Sequence, residues 1–464
     1  MTTAISSPGG LPGSLKGGLV AATVFAACWG GAIWYWRGAD VTPGSVELAL
    51  ALLVLPLALV GSLWLGRKLI AARAAAPAAA AAGKPAAAQP VTAALPPLAI
   101  VSSALRSPHG GSAEELAAVL AENKARADLD RELIDGDGFP IMAARCDEAH
   151  DELLQEQIEE WLAHSGMSAL RFSDEQWRAL TLGSAVVTEL AGRAGDLLQA
   201  EGTPPLLRLL PLLPVDWRTE QHRAAVLWFR HLISQFGWPT TRIDVPKPDT
   251  GVATPTAIFK RLAQDAAATA APTVALVLAC DSHIGQETVD RWDADDSLFT
   301  STRPQGLIPG EGACGLLLSD LRTASAIDGA LFALLEPAEE ARHETSANDT
   351  RRVDPKLLRE LAERAAGHAD ILLADIGMIV TDAGQRQNRV LEVMGLASAT
   401  MPQLDDTADV ACVGMASGTC GEVPFLTALA LAQHRALIQD SPVLCIGNED
   451  AYRRSTVLVR PVKA

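Results

Sequence analysis

The side chains best suited to covalent or acid–base chemistry are seven cysteines and nine histidines, and few of them stand in a catalytic pattern. Asp281, Ser282 and His283 follow one another directly after an apolar run. Polar groups after a strand often form sites in α/β proteins, so this trio is a candidate acid–base set. A surface loop after a strand is the simpler interpretation, and we expect it here.

The cysteines show no Cys-x-x-Cys spacing, which excludes a zinc ribbon and a disulfide scaffold. Cys412 and Cys420 flank a glycine loop and could pair or react, although two small core residues are the simpler interpretation. Cys280 and Cys314 lie at predicted strand ends, where we expect packed, inert thiols. We expect neither a bound metal nor a cofactor.

A glycine pattern at Gly310, Gly312 and Gly315 formally matches the dinucleotide fingerprint. That fingerprint must follow a strand and open a helix that receives the pyrophosphate. Here it follows a loop and leads into Leu316-Leu317-Leu318, which reads as a strand. We therefore expect the glycines to serve a turn, through positive φ and close backbone approach.

Short apolar runs alternate with amphipathic segments from Leu98 onward, which predicts a layered α/β body with sheets covered on both faces. The predicted strands are 98–101, 206–213, 242–245, 274–279, 314–319, 371–375, 443–446 and 457–459. The predicted helices are 113–123, 152–163, 220–236, 256–268, 355–369 and 422–439.

Three stretches of this body carry a resemblance. Arg303-Pro304 precedes Gly310-Glu311-Gly312-Ala313, which enters a strand; residues 412–433 read as a small-residue loop that opens a long helix; and CIGNED is followed by a last strand at the end. Together they resemble the β-ketoacyl synthase branch of the thiolase-like superfamily, over residues 98–461. The resemblance implies a pseudo-symmetric αβαβα layered body, usually dimeric.

The resemblance also implies a cysteine nucleophile at a helix N-terminus, two histidines and a nearby lysine. The cysteine position matches Gly251, and no cysteine lies between Cys146 and Cys280. One histidine position matches Met415, and the lysine position matches Val410. The other histidine should follow the strand predicted at 371–375, but the sequence has none between His368 and His434. Because nucleophile and acid–base groups are missing together, we expect no intact synthase chemistry.

Two uncharged apolar segments, residues 17–36 and 48–66, precede the body. Each is long enough to cross about 30 Å of hydrocarbon as a helix. We predict a transmembrane hairpin within residues 1–70, followed by an Ala/Pro-rich linker at 71–97 and the thiolase-like domain at 98–464. Basic residues flank the outer ends of the hairpin: Lys16, Arg67, Lys68, Arg73 and Lys84. The positive-inside rule then places both ends, and the large C-terminal domain, on the cytoplasmic side of the inner membrane.

The charge of the chain is divided unevenly. Only six of the 38 basic and two of the 55 acidic residues precede residue 98, so the body has a net charge of −21. Such a body repels nucleic acid, which excludes a nucleic-acid partner, and favours a basic one.

Three functions follow as hypotheses. The first is a membrane-anchored, catalytically inactive adaptor or scaffold for a cytoplasmic protein partner, as a homodimer or heterodimer, in an envelope or secretion complex. The second is a pseudo-synthase subunit that binds an acyl chain or acyl carrier protein beside an active condensing enzyme. The third is an acyltransferase-type enzyme of altered chemistry, which needs polar groups that converge near Gly251, Asp382, Met415 and Asp450.

Overall fold

The computed structural model describes residues 95–195, 204–246, 254–269, 271–327, 331–349 and 352–462. These residues belong to one compact unit, Thr92–Ala464. The predicted hairpin, most of the predicted linker and Gly251 lie outside the described residues. Among the described residues, no helix combines the length and the hydropathy that a membrane crossing requires.

The described residues form thirteen strands. They are β1 (Leu98–Arg106), β2 (Asp128–Ile134), β3 (Pro140–Ala143), β4 (Leu206–Leu212), β5 (Ile243–Asp244), β6 (Thr273–Ser282), β7 (Glu311–Ser319), β8 (Ala333–Leu335), β9 (Glu339–Arg342), β10 (Met378–Thr381), β11 (Val410–Cys412), β12 (Val443–Gly447) and β13 (Arg453–Pro461).

Eleven α-helices accompany them in the same part of the chain. They are α1 (Ala113–Ala121), α2 (Glu152–His164), α3 (Asp174–Ala194), α4 (Thr219–Gln235), α5 (Pro255–Ala268), α6 (Gln286–Ala294), α7 (Leu321–Ser325), α8 (Lys356–His368), α9 (Gln387–Thr400), α10 (Gly414–Ser417) and α11 (Val423–Gln439).

The main sheet has two halves with the same strand order. Its path is β11-β10-β12-β13-β8-β1-β7-β6-β4-β5, with β9 added beside β13. The first half consists of β1, β4, β5, β6 and β7, and the second of β8, β10, β11, β12 and β13. When the five strands of each half are numbered 1 to 5 along the chain, both halves have the order 3-2-4-5-1 from the outer edge to the centre. The fifth strand of each half, β7 or β13, is antiparallel to both of its neighbours in that order. The halves meet where β1 pairs with β8. The body is therefore pseudo-symmetric.

Alternate residues of β6 serve two different cores, and every residue of this strand is buried. Val274, Leu276 and Leu278 pack with α3 and α4 on the outside of the first half. Ala275 and Val277 point the other way, toward α5 and α11. Because side chains alternate across a strand, this continuous apolar run marks a sheet covered on both faces.

The second half repeats this arrangement. Leu444 and Ile446 of β12 pack outward with α8 and α9, whereas Val443 and Cys445 join the same inner core as α5 and α11. The order across the body is therefore α3/α4, sheet, α5/α11, sheet, α8/α9. The mixed α/β body predicted from the sequence is confirmed. Most residues of α11 are buried, because this helix lies between two sheets.

Some local predictions about the backbone are wrong. The strand predicted at 371–375 is instead a 3-10 turn at Leu373–Asp375, and the strand follows at Met378–Thr381. Glu311-Gly312-Ala313 is the first part of β7 rather than a turn. The glycines at 310, 312 and 315 also lack positive φ. Close approach is the correct part of that prediction, since a Cβ on Gly310 would lie 2.0 Å from the carbonyl oxygen of Ser417.

Candidate functional site

The N-terminus of α5 opens onto a small polar pocket between the two sheets. The Thr254 side chain caps the helix by accepting a hydrogen bond from Ala257 N at 3.2 Å, and Pro255 begins it. The cavity has a volume of about 10 Å³, enough for roughly one water molecule. It is lined by Pro255, Thr256, Glu340, Asp382, Glu422, Phe425, Gly447, Asp450, Arg453 and Ser455.

Hydrogen bonds among the lining groups fill this pocket. The Thr256 hydroxyl donates to the Glu340 carboxylate. Arg453 Nη2 donates to Glu422 Oε1 at 2.6 Å. Burial alone would lower the pKa of Arg453, but the nearby carboxylates raise it overall. They belong to Glu422, Asp450 and Glu340. One ion pair and one side-chain hydrogen bond therefore link groups that line this small pocket.

Asp382 follows β10 and lines the same pocket. One carboxylate oxygen accepts hydrogen bonds from Asn448 N at 2.7 Å and Glu449 N at 3.1 Å. Part of the residue's surface remains accessible, yet removal of the carboxyl from water raises its pKa to about 7, and the nearby Glu449 and Glu422 carboxylates act in the same direction. Asp382 is therefore partly protonated at neutral pH.

Asp450, at the mouth, has the opposite shift. Burial would raise the pKa of this carboxyl, but the backbone amides of Arg453 and Tyr452 donate to it, each at 2.7 Å, and lower its pKa overall. The structure thus brings Asp382 and Asp450 together, as the altered-chemistry hypothesis requires. Met415 does not line the pocket that these two carboxylates share, and Gly251 lies outside the described residues.

The structure also describes Met415 and Val410, the positions at which the resemblance implies a histidine and a lysine. Met415 lies half-buried on α10, and Val410 is buried at the start of β11. Between them, Gly414 contacts the backbone of the β10 end so closely that a Cβ would lie 2.1 Å from Asp382 O. Neither Met415 nor Val410 carries a group that could transfer a proton.

Burial disfavours the thiolate form of the cysteines in the described part of the chain. All six described cysteines are free. Burial raises the pKa of the Cys412 thiol to about 11 and that of Cys314 to about 12. Burial also raises the pKa of Cys280 and of Cys420, with a further contribution from the Asp281 carboxylate. Cys280 and Cys314 are wholly buried, so the prediction that these thiols are packed is confirmed, whereas their inertness stays a prediction.

The prediction of a surface loop at Asp281, Ser282 and His283 is wrong. Asp281 and Ser282 are the buried last residues of β6. The Ser282 hydroxyl donates to Glu311 Oε2 at 2.8 Å, and the His283 Nε2 atom lies 3.5 Å from Asp281 Oδ2. The hydroxyl therefore bonds a carboxylate rather than the imidazole, which leaves no Ser-His-Asp relay.

Glu311, the partner of Ser282, is itself buried. Its carboxylate is fully enclosed, and it accepts hydrogen bonds from Arg178 Nε and Nη2 at 2.7 and 2.5 Å. Cys146 N donates to the same carboxylate at 2.7 Å. Together with Ser282, these donors satisfy a buried charge that would otherwise be costly.

A second buried ion pair lies in the other half of the body. Arg454 Nε donates to both carboxylate oxygens of Glu392, at 2.9 and 3.0 Å, and both residues are wholly buried. Arg389 is also buried, and desolvation lowers its pKa to about 10. One guanidinium nitrogen each of Arg389 and Arg454 has no hydrogen-bond partner among the described residues.

Sequence reasoning did not identify Glu340, Glu422, Arg453 or Arg178. These residues come from four separate segments, and no short-range spacing links them. Only Glu311 carried a signal, as the charged residue of a glycine motif. The loop before α11 was recognised correctly as a small-residue loop. Two of its glycines, Gly418 and Gly421, have φ values of 63° and 58°, which few other residues adopt.

No protein-family model matches this sequence, and no characterised protein matches it at the sequence level. Solved structures do match. A ketosynthase from module 6 of the bacillaene synthase of Bacillus subtilis has a TM-score of 0.56 at 12% identity, over 79% of this chain and 72% of that chain. A β-ketoacyl synthase from Burkholderia phymatum has a TM-score of 0.53 at 12% identity, over 79% of this chain and 100% of that one.

A third neighbour is the oxazolomycin ketosynthase domain of Streptomyces albus, with a TM-score of 0.53 at 13% identity, over 79% of this chain and 74% of that chain. Likeness at such identities concerns the fold and leaves the chemistry to be argued from the site. The described body of this chain therefore has a ketosynthase-like fold of the thiolase type.

Proposed function

We propose that this protein is a membrane-anchored, catalytically inactive ketosynthase-like adaptor or scaffold that holds a cytoplasmic protein partner. One observation carries the inactive part of the proposal. The pocket at the start of α5 has room for about one water and is lined by carboxylates and Arg453. A condensing reaction needs a thiolate, acid–base groups and space for an acyl thioester.

The anchoring part rests on the sequence. Residues 17–36 and 48–66 have the length and hydropathy of membrane spans, and basic residues flank their outer ends. This supports an inner-membrane hairpin with the body in the cytoplasm. An envelope or secretion complex is a fitting setting, since such assemblies combine membrane anchors with docking domains. Dimerisation through the body stays a prediction.

The acyl-binding alternative has less support. An acyl chain needs an apolar tunnel, whereas the lining of this cavity is mostly polar or charged. The altered-chemistry alternative gains the convergence of Asp382 and Asp450 but lacks substrate space. Both alternatives become outcomes of the test rather than further proposals.

Activity is tested first. Full-length protein in detergent is incubated with acyl and malonyl thioesters, with an active ketosynthase as the positive control. We expect neither decarboxylation nor an acyl-enzyme adduct by mass spectrometry. An adduct on any residue would overturn the inactive assignment, and a retained acyl chain or carrier protein in native mass spectrometry would favour the pseudo-synthase alternative.

Anchoring and docking are tested next. Membrane fractionation should place the full chain in the inner membrane and a variant without residues 1–70 in the soluble fraction. Cross-linking in intact cells, followed by detergent extraction, should recover the same protein partner from independent preparations. Absence of any reproducible partner would count against the adaptor.

A further inference from the structure

A second, larger depression lies on the outer side of the first half, away from the pocket at α5. It has a volume of about 570 Å³, which is within the usual range of ligand sites. It is lined by Arg106, Glu148, Asp151, Leu154, Thr181, Leu182, Ser184, Ala185, Thr188, Glu189 and Leu232. These residues come from the end of β1, a 3-10 turn at Asp147–Ala149, the start of α2, the middle of α3, and α4. We call this depression the α3 groove.

The floor of the α3 groove contains an unpaired hydroxyl. Thr181 is 4% exposed, and its Oγ1 atom has no hydrogen-bond partner among the described residues. Ser184, one turn further along α3, is different, because its hydroxyl donates to Leu180 O and accepts from Trp228 Nε1. A buried hydroxyl without a partner is unfavourable, so an occupant that bonds Thr181 would gain from it.

The rest of the floor is apolar. Leu182 is buried, and Leu154 and Leu232 are partly buried along the walls. Ala185 leaves space between them. This floor suits one or two aliphatic side chains, provided that the occupant also satisfies the rim.

The rim carries an excess of negative charge. Arg106 is the only lining cation, and it is already paired with Glu189 at 3.1 Å and Glu148 at 3.4 Å. Asp151 adds a third carboxylate at the N-terminus of α2. The net charge of the lining is −2, on a body with a net charge of −21. Anionic occupants are therefore disfavoured, and cationic ones are attracted.

We infer that the α3 groove docks a basic amphipathic helical segment of a protein partner. Its aliphatic face contacts Leu154, Leu182 and Leu232, its Lys or Arg side chains reach Glu148, Asp151 and Glu189, and a polar group bonds Thr181. Helix-in-groove binding uses this combination of an apolar face and charged edges. The inference deepens the proposed adaptor function and rests on it, because it names the chemistry of the partner.

The direct test uses full-length protein in neutral detergent and a fluorescently labelled amphipathic Leu/Lys helical peptide, with a scrambled peptide of the same composition and a Leu/Glu peptide as controls. We expect binding of the Leu/Lys helix alone, weakened by salt because the contact is partly ionic. Equal binding of the scrambled peptide, or binding of the Leu/Glu peptide, overturns the inference.

Matched variants locate the site. Glu148→Lys should weaken binding about tenfold or more, whereas Glu363→Lys, a similarly exposed carboxylate on α8, should not. Ala185→Trp should block the groove, whereas Ala399→Trp on α9 should not. If either groove variant binds like its control, the inference is wrong.

Thr181→Val separates recognition from folding. It keeps the shape and removes the hydroxyl, so affinity should fall about threefold to tenfold with no loss of thermal stability. Unchanged affinity overturns the role of Thr181.

The same groove variants are then examined for the partner cross-linked in cells. If they retain it, the groove assignment fails while the adaptor function stands; if wild type has no partner, the adaptor itself fails.

Discussion

The two pseudo-symmetric halves each bury an Arg–Glu pair at the start of their fifth strand, but with opposite polarity and balance. In the first half the strand supplies the carboxylate, Glu311 of β7, and α3 supplies Arg178. In the second half the strand supplies Arg454 of β13, and α9 supplies Glu392. The first carboxylate accepts four hydrogen bonds, from Arg178, Cys146 and Ser282.

The second pair is less well balanced. Arg389 adds another buried guanidinium near the single buried Glu392, and donors on Arg389 and Arg454 remain unpaired among the described residues. The same strand order therefore accommodates a matched ion pair in one half and a cationic excess in the other. Backbone pseudo-symmetry therefore does not require the two halves to have the same buried charges. Substitutions of these charges can distinguish the halves.

The largest effect is expected from Arg178→Met. It leaves the wholly buried Glu311 without its counter-ion, which should lower the free energy of unfolding by about 3–5 kcal/mol. Urea unfolding of the full chain in detergent, followed by tryptophan fluorescence, measures it. The double variant Arg178→Met with Glu311→Leu should recover much of the loss. If the single variant is as stable as wild type, the matched pair contributes nothing.

An intermediate effect is expected from Asp382→Asn, and it depends on pH. The folded-state pKa of about 7 lies above the ordinary value of 3.8. Between these values the folded protein retains a proton that the unfolded chain releases, so ionisation of Asp382 lowers stability as pH rises. Asparagine still accepts both backbone hydrogen bonds. Above pH 7 the free energy of unfolding of the variant should exceed that of wild type by about 2–4 kcal/mol, and below pH 4 the two should be equal.

Asp281→Asn is the matched control in the first half. Burial raises the pKa of Asp281 to about 6, so the loss of stability caused by its ionisation should be complete about one pH unit lower than for Asp382. Thermal melts of wild type and both variants across this pH range give the comparison. Identical pH profiles for wild type and Asp382→Asn would contradict the prediction.

The smallest effect is expected from Arg389→Met. Removal of a desolvated cation from a cluster that already has excess positive charge should change the free energy of unfolding by no more than about 1 kcal/mol. The same urea assay compares it with Arg178→Met. A loss as large as that of Arg178→Met would show that the halves are electrostatically equivalent after all.

The sequence predicted those elements that have strong, one-sided signals. The apolar runs of β1, β6 and β12 and the long α11 were all found, because burial on both faces leaves continuous hydrophobic segments. Helix α3 was missed, although it lies against β6 and β7, because small and polar residues interrupt its pattern. The runs at 371–373 (ILL) and 378–380 (MIV) are similarly apolar. The second forms the strand because it pairs with β11 and β12.

The site was less predictable than the fold. The prediction that the cysteine, histidine and lysine positions are lost rests on single residues of the sequence. The lining of the pocket was not predicted, because Thr256 comes from the first half of the body and Glu340, Asp382, Glu422 and Arg453 come from separate segments of the second. Burial of Asp281 and Ser282 was missed because both residues extend β6 and pair with Gly312 and Glu311 of β7, a contact between segments that are distant in the sequence.

The close approach at Gly310 has a consequence for how the body unfolds. Pro309 pairs with Thr419, Thr419 N donates to Ile308 O at 2.8 Å, and Gly310 packs against the Ser417 carbonyl, so the chain before β7 is attached to the loop that opens α11. One half cannot lose its fifth strand without exposing the central helix of the other. We therefore expect the two halves to melt as a single cooperative unit. Their core amide hydrogens should exchange with solvent at similar rates.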